Sequence, residues 1–288
     1  MFETDVVAPT VMLLVDQSAS MVKPYPGGTR WSVLRDTLVD PGEGVVSRLD
    51  SVVRFGVTFF TSQDEASECP ILTTELPALA NFAGIAFLYS QVGPKQDTPT
   101  GESIDTMVGI LATLSLPGPQ YIVLATDGEP DTCADPDSDL GQTVALEATQ
   151  RAYDSQIPVF VLSVGQDDLS LSHLQELANA GVGLPIDGSA GNAPYFQPND
   201  ADELARAFDD IFKRVLTCVF TLEGEIRPAL VGEGIVHLDG DRLSFNDPDG
   251  WRYILPDRIE LLGGSCEAAM HPGDHVVTVE LPCWDDPG

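Results

Sequence analysis

The chain has 288 residues, of which 43% are hydrophobic, and its 14 basic and 45 acidic residues give a net charge of −31 at pH 7. This length is sufficient for one large domain with a proper core and a small second domain. Contacts to phosphate require clustered Lys and Arg side chains, so the composition argues against a partner that is nucleic acid or anionic lipid. We attribute the acidity to solubility rather than to a specific basic partner.

Buried strands and amphipathic helices alternate along residues 11–216. Strands are predicted at 11–15, 53–60, 121–125 and 159–164. Helices are predicted at 31–39, 101–114, 143–154, 169–180 and 201–216, and residues 62–97 are predicted to be irregular. This alternation is typical of a doubly wound α/β fold, in which helices cover both faces of a mostly parallel sheet.

The pattern changes after residue 216. Short β-rich stretches at 218–222, 235–238, 258–262 and 275–281 are separated by turn signals such as Asp239-Gly240. We therefore divide the chain into a large domain, 1–216, and a small β-rich C-terminal module, 217–288. The module is too short to form a large core of its own, so we expect it to pack against the first domain or to be cross-linked by cysteines.

Five oxygen-bearing side chains stand out near the ends of predicted strands and in loops. Asp16, Ser18 and Ser20 follow the first buried strand in the segment Asp-Gln-Ser-Ala-Ser. Thr98 precedes a predicted helix, and Asp127 follows the third predicted strand. Open α/β sheets bind their ligands at the carboxyl ends of the strands. Two carboxylates and three hydroxyls form an all-oxygen set suited to Mg²⁺, which usually keeps a coordination position for an outside ligand.

Four of these five residues also have a purely structural interpretation. Taken alone, the Asp-x-Ser-x-Ser segment is at least as typical of a helix cap as of a metal site. Asp127-Gly128 is a common turn dipeptide. Thr100 competes with Thr98 for the threonine position; the sequence leaves both open, and the spacing to Gly101 favours Thr98.

Together the five residues resemble the metal-ion-dependent adhesion site of von Willebrand factor A domains, the family that includes the inserted domains of integrins. The resemblance covers residues 8–216 and implies that one Mg²⁺, or alternatively Mn²⁺ or Ca²⁺, is shared by Asp16, Ser18, Ser20, Thr98 and Asp127. It implies that both serines bind the ion directly and that one Asp binds it through water. It also implies that an Asp or Glu carboxylate of a protein partner completes the coordination. The chain also resembles exported bacterial members of the family, in which a β-rich module follows the A domain.

The sequence favours a binding module over an enzyme. Neither serine lies in a Gly-x-Ser-x-Gly elbow, the sequence contains no Walker-type phosphate loop, and the motif segments offer only Glu102 and Glu129 as general bases. We therefore expect no catalytic residues and a divalent-cation-dependent adhesion function. Two alternatives remain open, namely a cytosolic scaffold that works with an ATPase or chelatase complex and a metal-dependent hydrolase.

The cysteines favour an oxidising compartment. There are five, at positions 69, 133, 218, 266 and 283. Cys133 follows the second metal carboxylate closely, and Cys69 lies in the irregular stretch expected over the same rim of the sheet, so we pair these two. In the module we pair Cys266 with Cys283, which leaves Cys218 unpaired. The alternative is that all five are reduced packing residues.

The N-terminal residues bear on the location of the protein. Residues 1–5 lack the basic start and the apolar run of a signal peptide, and no stretch of the sequence reaches the ~20 apolar residues of a membrane span. Because the cysteines favour export, we expect that a signal has been removed and that the protein is extracellular, on the cell surface or periplasmic. The alternative is a cytoplasmic protein.

An acidic loop offers a second candidate metal site. Asp135, Asp137 and Asp139 are spaced by two residues, as in calcium-binding loops, and this predicts a structural Ca²⁺. The following glycine falls one position late for that motif. The alternative is therefore an acidic loop that caps the next helix.

Overall fold

The computed structural model describes residues 2–5, 7–62, 69–134, 138–165, 170–216, 218–222, 233–254, 258–269 and 275–280. The chain divides into two compact units. The larger unit is Ala8–Phe212, and the smaller combines Met1–Val7 with Lys213–Gly288. The first seven residues therefore group with the C-terminal part of the chain, whereas the sequence placed them in the large domain.

Strands and helices alternate through the larger unit. After strand β1 (Phe2–Asp5) of the smaller unit, the order is β2 (Thr10–Asp16), β3 (Pro24–Tyr25), β4 (Gly28–Thr29), α1 (Arg30–Val39), α2 (Val45–Leu49), β5 (Arg54–Thr61), β6 (Ile71–Ala78), α3 (Phe82–Gln91), α4 (Thr100–Thr113), β7 (Gln120–Thr126), α5 (Ser138–Asp154), β8 (Val159–Ser163), α6 (Leu171–Gly181) and α7 (Ala201–Val215). The smaller unit continues with β9 (Val219–Thr221), β10 (Ile235–Leu238), β11 (Asp241–Leu243), β12 (Trp251–Ile254), β13 (Arg258–Leu261), α8 (Gly263–Ala269) and β14 (Val276–Glu280).

The central sheet of the larger unit has the strand order β6-β5-β2-β7-β8. Strands β5, β2, β7 and β8 are parallel, and β6 pairs with β5 in the antiparallel direction at one edge. This arrangement confirms the predicted doubly wound, mostly parallel sheet. Because the strands run in the same direction, their carboxyl ends meet at one edge, where the predicted metal residues lie.

Strand β2 lies in the middle of the core. All seven of its residues are buried, as expected for a parallel strand with helices on both faces of the sheet. On one face, Met12 and Leu14 belong to an apolar cluster with Ile104 of α4. On the other face, Phe59 of β5 contacts Trp31 of α1, with ring centroids 5.4 Å apart. Both faces of the sheet are therefore covered by helices.

The prediction that residues 62–97 are irregular is wrong for the described part of that segment, which contains β6 and α3. Most residues of β6 are half-exposed, and the strand contains Pro77, which an edge strand tolerates but which weakens its sequence pattern. Helix α3 follows Asn81 without a side-chain cap. Its apolar residues occur on most of the helix surface, so helical periodicity is hard to recognise in the sequence.

The smaller unit is β-rich, as predicted. Its strands form two antiparallel sheets with the orders β1-β14-β10-β11 and β12-β13-β9. Its apolar core includes Trp251, Val236, Ile259 and Val279, all of them at most 1% exposed. Strand β1 was not predicted, because four residues with two acidic side chains carry little strand signal; pairing with β14 makes this segment a strand.

Two disulfides are present in the described part of the chain. Cys69–Cys133 joins residues 64 positions apart, with Cα atoms 5.4 Å apart, and confirms that predicted pair. The second disulfide is Cys218–Cys266, with Cα atoms 5.5 Å apart, so the predicted Cys266–Cys283 pair is wrong. The reason is the pairing of β9 with β13, which brings the residue before β9 close to the helix that follows β13. Cys283 itself lies outside the described residues.

Candidate metal centre

Two neighbouring strands position the two carboxylates of the candidate centre. Strand β2 ends at Asp16, strand β7 ends at Thr126, and Asp127 follows directly. The two strands are parallel neighbours in register, with Val15 opposite Ala125. Both carboxylates therefore emerge at the same edge of the sheet, where the sequence predicted a metal site.

Asp16 is fully buried and uses both carboxylate oxygens. Its Oδ1 accepts a hydrogen bond from the backbone N–H of Ser18 at 2.7 Å. Its Oδ2 accepts one from the hydroxyl of Thr126 at 2.7 Å and a longer one from the backbone N–H of Asp127 at 3.4 Å. These bonds hold the loop after β2 against the end of β7.

The two serines link the strand ends through their side chains. Ser18 Oγ and Ser20 Oγ are 2.8 Å apart, and Ser20 Oγ donates a hydrogen bond to Asp127 Oδ1 at 2.6 Å. A short 3₁₀ helix, Ala19–Val22, begins after Ser18, whose side chain makes no capping hydrogen bond. This geometry argues against the helix-cap alternative for the segment. The structure thus brings Asp16, Ser18, Ser20 and Asp127 into one hydrogen-bonded cluster.

Thr98 lies beside this cluster and is 4% exposed. Its backbone N–H donates to Asp131 Oδ2 at 3.2 Å, and its carbonyl oxygen accepts from the Asp131 N–H at 2.9 Å. Its hydroxyl makes no hydrogen bond to any described residue, whereas the hydroxyl of Thr100 donates to the carbonyl oxygen of Thr98 at 3.3 Å. The geometry therefore favours Thr98 over Thr100 for the threonine position.

Gly128 leaves open the space between the hydroxyl groups. A Cβ atom at this position would lie 3.6 Å from Ser20 Oγ and 3.9 Å from Thr98 Oγ1. The two hydroxyls therefore border the same space, which a side chain at residue 128 would occupy. Both contacts would be ordinary van der Waals distances, so Ser20 and Thr98 both lie next to Gly128.

Burial governs the electrostatics of the centre. The pKa of Asp16 is raised from 3.8 to about 7, mainly because burial disfavours its charged form and secondly because Asp127 is close. Burial also raises the pKa of Asp127, and hydrogen bonds from Arg30 and Ser20 oppose that shift. Two buried carboxylates next to neutral hydroxyls form a hard, all-oxygen donor set, and this fits a divalent cation such as Mg²⁺.

Arg30 is a buried residue of the centre that the sequence analysis missed. Its Nη1 donates to Asp127 Oδ2 at 2.8 Å and to the Asp127 carbonyl oxygen at 3.3 Å. Arg30 is the first residue of α1, after the capping residue Thr29. A basic residue is unfavourable at a helix N-terminus because of the helix dipole. The position of Arg30 at the start of a predicted helix was therefore the feature of the sequence that could have identified it as a functional candidate.

The two glutamates considered as general bases have structural partners. Glu102 Oε1 accepts a hydrogen bond from the backbone N–H of Cys133 at 2.8 Å. Glu129 accepts from the side chain of Gln142 at 2.5 Å and from the backbone N–H of Ser170. Both carboxylates therefore brace the loop after Asp127, together with the disulfide at Cys133.

The second candidate metal site cannot be compared with the structure. Asp135 and Asp137 lie outside the described residues, as does the side chain of Asp139, which falls in the first turn of α5. Among the side chains that the structure describes, no three His, Cys, Asp or Glu residues are grouped so that they could hold a metal ion. The candidate centre differs from such groups because it has two carboxylates and takes its other oxygens from hydroxyls.

None of the described helices is both long enough and apolar enough to cross a membrane.

Comparison with known proteins identifies the fold. No protein-family model matches the chain, and no curated protein sequence does. Among solved structures, the chain is similar to the PilB minor pilin from Streptococcus sanguinis, with a TM-score of 0.54 and 14% identity over 73% of this chain and 61% of that one. It is also similar to the pilus adhesin SpaC from Lactobacillus rhamnosus GG, with a TM-score of 0.53 and 14% identity over 96% of this chain and 39% of that one.

A third similar structure is that of manganese-loaded Plasmodium vivax TRAP protein, with a TM-score of 0.50 and 15% identity over 97% of this chain and 95% of that one. The chain spans less than two thirds of the length of the two pilus proteins. Because the sequence identities are only 14–15%, the similarity to these structures shows a shared fold and no more. The chain has the von Willebrand factor A type of fold that its motif indicated, followed by a β-rich C-terminal part.

Proposed function

We propose that the larger unit is a divalent-cation-dependent binding module that ligates an acidic side chain of a protein partner. The proposal rests chiefly on the hydrogen-bonded cluster of two buried carboxylates and two serine hydroxyls at the carboxyl edge of the sheet. The proposed metal ligands are Asp16, Ser18, Ser20, Thr98 and Asp127. Mg²⁺ is the expected ion, with Mn²⁺ or Ca²⁺ as alternatives.

The residues of the centre suit this task because three of the five proposed ligand side chains are neutral hydroxyls. When bound, the divalent cation supplies an electrophilic position for an anionic ligand. Asp16 is buried and would supply negative charge to the cation. The hydrogen bonds that it accepts from Ser18 and Thr126 fix the orientation of its carboxylate. Ser20 joins the two strand ends through its bond to Asp127. A shell with few charges leaves the ion able to accept a further carboxylate.

Two observations support an extracellular adhesion role. Two disulfides are typical of oxidising compartments. The neighbours in fold include a minor pilin and a pilus adhesin, and a third neighbour is loaded with manganese. We therefore propose that the protein acts outside the cell or in the periplasm, with a protein partner, and that it is not an enzyme.

The proposal is tested by measuring Mn²⁺ binding to the full chain, with electron paramagnetic resonance to count free Mn²⁺. Wild-type protein is expected to bind one Mn²⁺, and Asp16→Ala is expected to weaken binding by at least about 100-fold because a buried charged ligand is lost. Asp36→Asn is the matched control, since Asp36 is an exposed carboxylate on α1. Unchanged Mn²⁺ affinity in Asp16→Ala would contradict the assignment.

Further measurements separate the proposal from its alternatives. Capture of partner proteins is expected to stop when a chelator is added and to fail with Asp16→Ala. Hydrolysis of ester or phosphate test substrates that requires both metal and Asp16 would instead favour the hydrolase. Free thiols at all five cysteines in protein from its native host would favour the cytosolic scaffold.

A further inference from the structure

Asp131 connects two loops that carry proposed metal ligands. Its Oδ2 accepts a hydrogen bond from the backbone N–H of Thr98 at 3.2 Å. Its own backbone N–H donates to the Thr98 carbonyl oxygen at 2.9 Å. Asp131 belongs to the loop that begins with Asp127 after β7, and it is separated from Thr98 by 33 positions in the chain. One residue of this loop therefore holds both backbone polar groups of Thr98.

The other contacts of Thr98 are local. Its carbonyl oxygen also accepts from the backbone N–H of Thr100 at 2.7 Å, within the turn that leads into α4. The preceding residue is anchored elsewhere, because Asp97 Oδ2 accepts from the hydroxyl of Ser62 at 3.0 Å. Among the described residues, Asp131 is the only hydrogen-bond partner of Thr98 that is distant in the chain. The position of Thr98 relative to the loop after β7 thus depends on Asp131.

The loop that carries Asp131 is itself restrained on two sides. Any side chain at Gly141 of α5 would clash with the carbonyl oxygen of Pro130, so α5 approaches the loop closely. Two residues after Asp131, Cys133 is joined to Cys69 by a disulfide. The backbone at Asp131 is therefore fixed by α5 on one side and by the disulfide on the other, and it provides a firm anchor for Thr98.

These contacts lead to an inference that rests on the proposed metal function. The hydroxyl of Thr98 makes no hydrogen bond to any described residue, so its place beside the Ser20 hydroxyl depends on how the Thr98 backbone is held. We propose that Asp131 is a positioning residue, which holds the Thr98 backbone so that the Thr98 hydroxyl can bind the cation. Groups that orient a metal ligand from outside the coordination sphere commonly change metal affinity by an order of magnitude or more.

The test compares two variants of the full chain by Mn²⁺ titration. Asp131→Asn removes the charge and keeps an oxygen that can accept from the Thr98 N–H, whereas Asp131→Ala removes both. The difference between the two variants therefore isolates the hydrogen-bond acceptor from the charge. We expect Mn²⁺ affinity to be about tenfold lower in Asp131→Ala than in Asp131→Asn. Equal affinities of the two variants would overturn the inference.

A second comparison separates positioning of Thr98 from general support of the fold. Thr98→Val removes the hydroxyl but keeps the backbone N–H and the branched shape of the side chain, and it should itself weaken Mn²⁺ binding. If Asp131 acts through that hydroxyl, Asp131→Asn and Asp131→Ala should differ by less than about twofold when combined with Thr98→Val. A difference as large as in the Thr98 background would overturn the inference, because the acceptor would then act independently of the hydroxyl. Wild-type Mn²⁺ affinity in Thr98→Val would overturn it as well.

Two further variants complete the design. Asp131→Leu replaces Asp131→Ala if the alanine variant does not fold, because Leu has nearly the shape of Asn and offers no acceptor. Asp105→Ala is the matched control, since Asp105 is an exposed carboxylate on α4 that pairs with Arg151, and it should leave Mn²⁺ affinity unchanged.

Failure of this inference can be distinguished from failure of the proposed function. If the wild-type protein binds no Mn²⁺, or if Asp16→Ala binds it with unchanged affinity, the proposed function fails and the inference fails with it. If Asp16→Ala loses Mn²⁺ while Asp131→Asn and Asp131→Ala bind it equally well, only the present inference fails.

Discussion

The two edges of the central sheet differ in chemistry although the same strands form both. At the carboxyl edge, the ionisable side chains of Asp16, Asp127 and Arg30 are almost fully buried. At the amino edge, a cavity of about 520 Å³ opens between α4 and the starts of β7 and β8, and its lining includes Val108, Gln156 and other residues without charge. This cavity is therefore lined by uncharged residues, whereas the carboxyl edge contains buried ionisable groups.

This difference shows which feature indicates function. A cavity between helices and strand starts forms readily wherever side chains fail to fill the space, and it requires no special chemistry. Burying charged groups is unfavourable unless they are paired, so a folded protein retains such groups where they have a task. The physical argument for a binding site consequently concerns the carboxyl edge.

The largest expected effect concerns the buried ion pair. Arg30→Met removes the guanidinium group and leaves two buried carboxylates without it, so we expect the free energy of unfolding of the metal-free protein to fall by about 3–5 kcal/mol. Urea denaturation in the presence of a chelator measures this. The exposed pair of Arg35 and Asp36 provides the comparison, since Arg35→Met should change stability by about 1 kcal/mol or less. Equal effects of the two variants would contradict the importance of the buried pair.

The next effect concerns the disulfide that braces the loop after Asp127. Replacing Cys69 and Cys133 together by Ser is expected to lower the free energy of unfolding by about 2–4 kcal/mol, because the unfolded chain gains freedom. Urea denaturation followed by tryptophan fluorescence measures the change. Peptide mapping of the intact protein provides the control for the pairing. A link from either cysteine to another partner would contradict this prediction.

A smaller effect concerns the pH dependence of the metal-free protein. The folded protein holds a proton on Asp16 up to a pKa of about 7, whereas the unfolded chain releases it near 3.8. Because the folded state binds more protons between these values, its stability should fall as the pH rises from about 4 to 7, by roughly 1–3 kcal/mol. Denaturation curves of wild type and Asp16→Asn measure the difference, since Asn cannot titrate.

Saturating Mn²⁺ gives an independent check on this pH dependence. The cation favours the ionised carboxylate, so the fall in stability should largely disappear when Mn²⁺ is present. A wild-type protein whose stability relative to Asp16→Asn is constant or rises over the same pH range would show that Asp16 is not protonated in the folded state.

The smallest effect is expected at the amino edge. Gln156 is exposed at the cavity, so Gln156→Ala should change the free energy of unfolding by less than about 0.5 kcal/mol. It should also leave Mn²⁺ affinity unchanged, because the substitution lies at the opposite edge of the sheet. Titration with Mn²⁺ and urea denaturation check both points. A clear loss of Mn²⁺ binding would show that the two edges are coupled.

The sequence by itself determined the parts of the protein that depend on local pattern. Continuous apolar runs predicted β2, β5, β7 and β8, because strands buried on both faces have no polar side. Helices α4 and α7 were predicted to within one residue at each end. The motif residues Asp16, Ser18, Ser20 and Asp127 were selected by residue type and by their place after strands, and the structure brings them together.

Only the tertiary structure decided the features that depend on partners distant in the chain. Strand β1 exists because β14 pairs with it, and Cys218 reaches Cys266 because β9 pairs with β13. Arg30 joins the centre although 97 positions separate it from Asp127. The hydrophobic periodicity of a segment shows which of its side chains face the core and which face solvent. Pairing between distant segments depends instead on the packing of the whole chain. These contacts therefore could not be predicted from the local sequence.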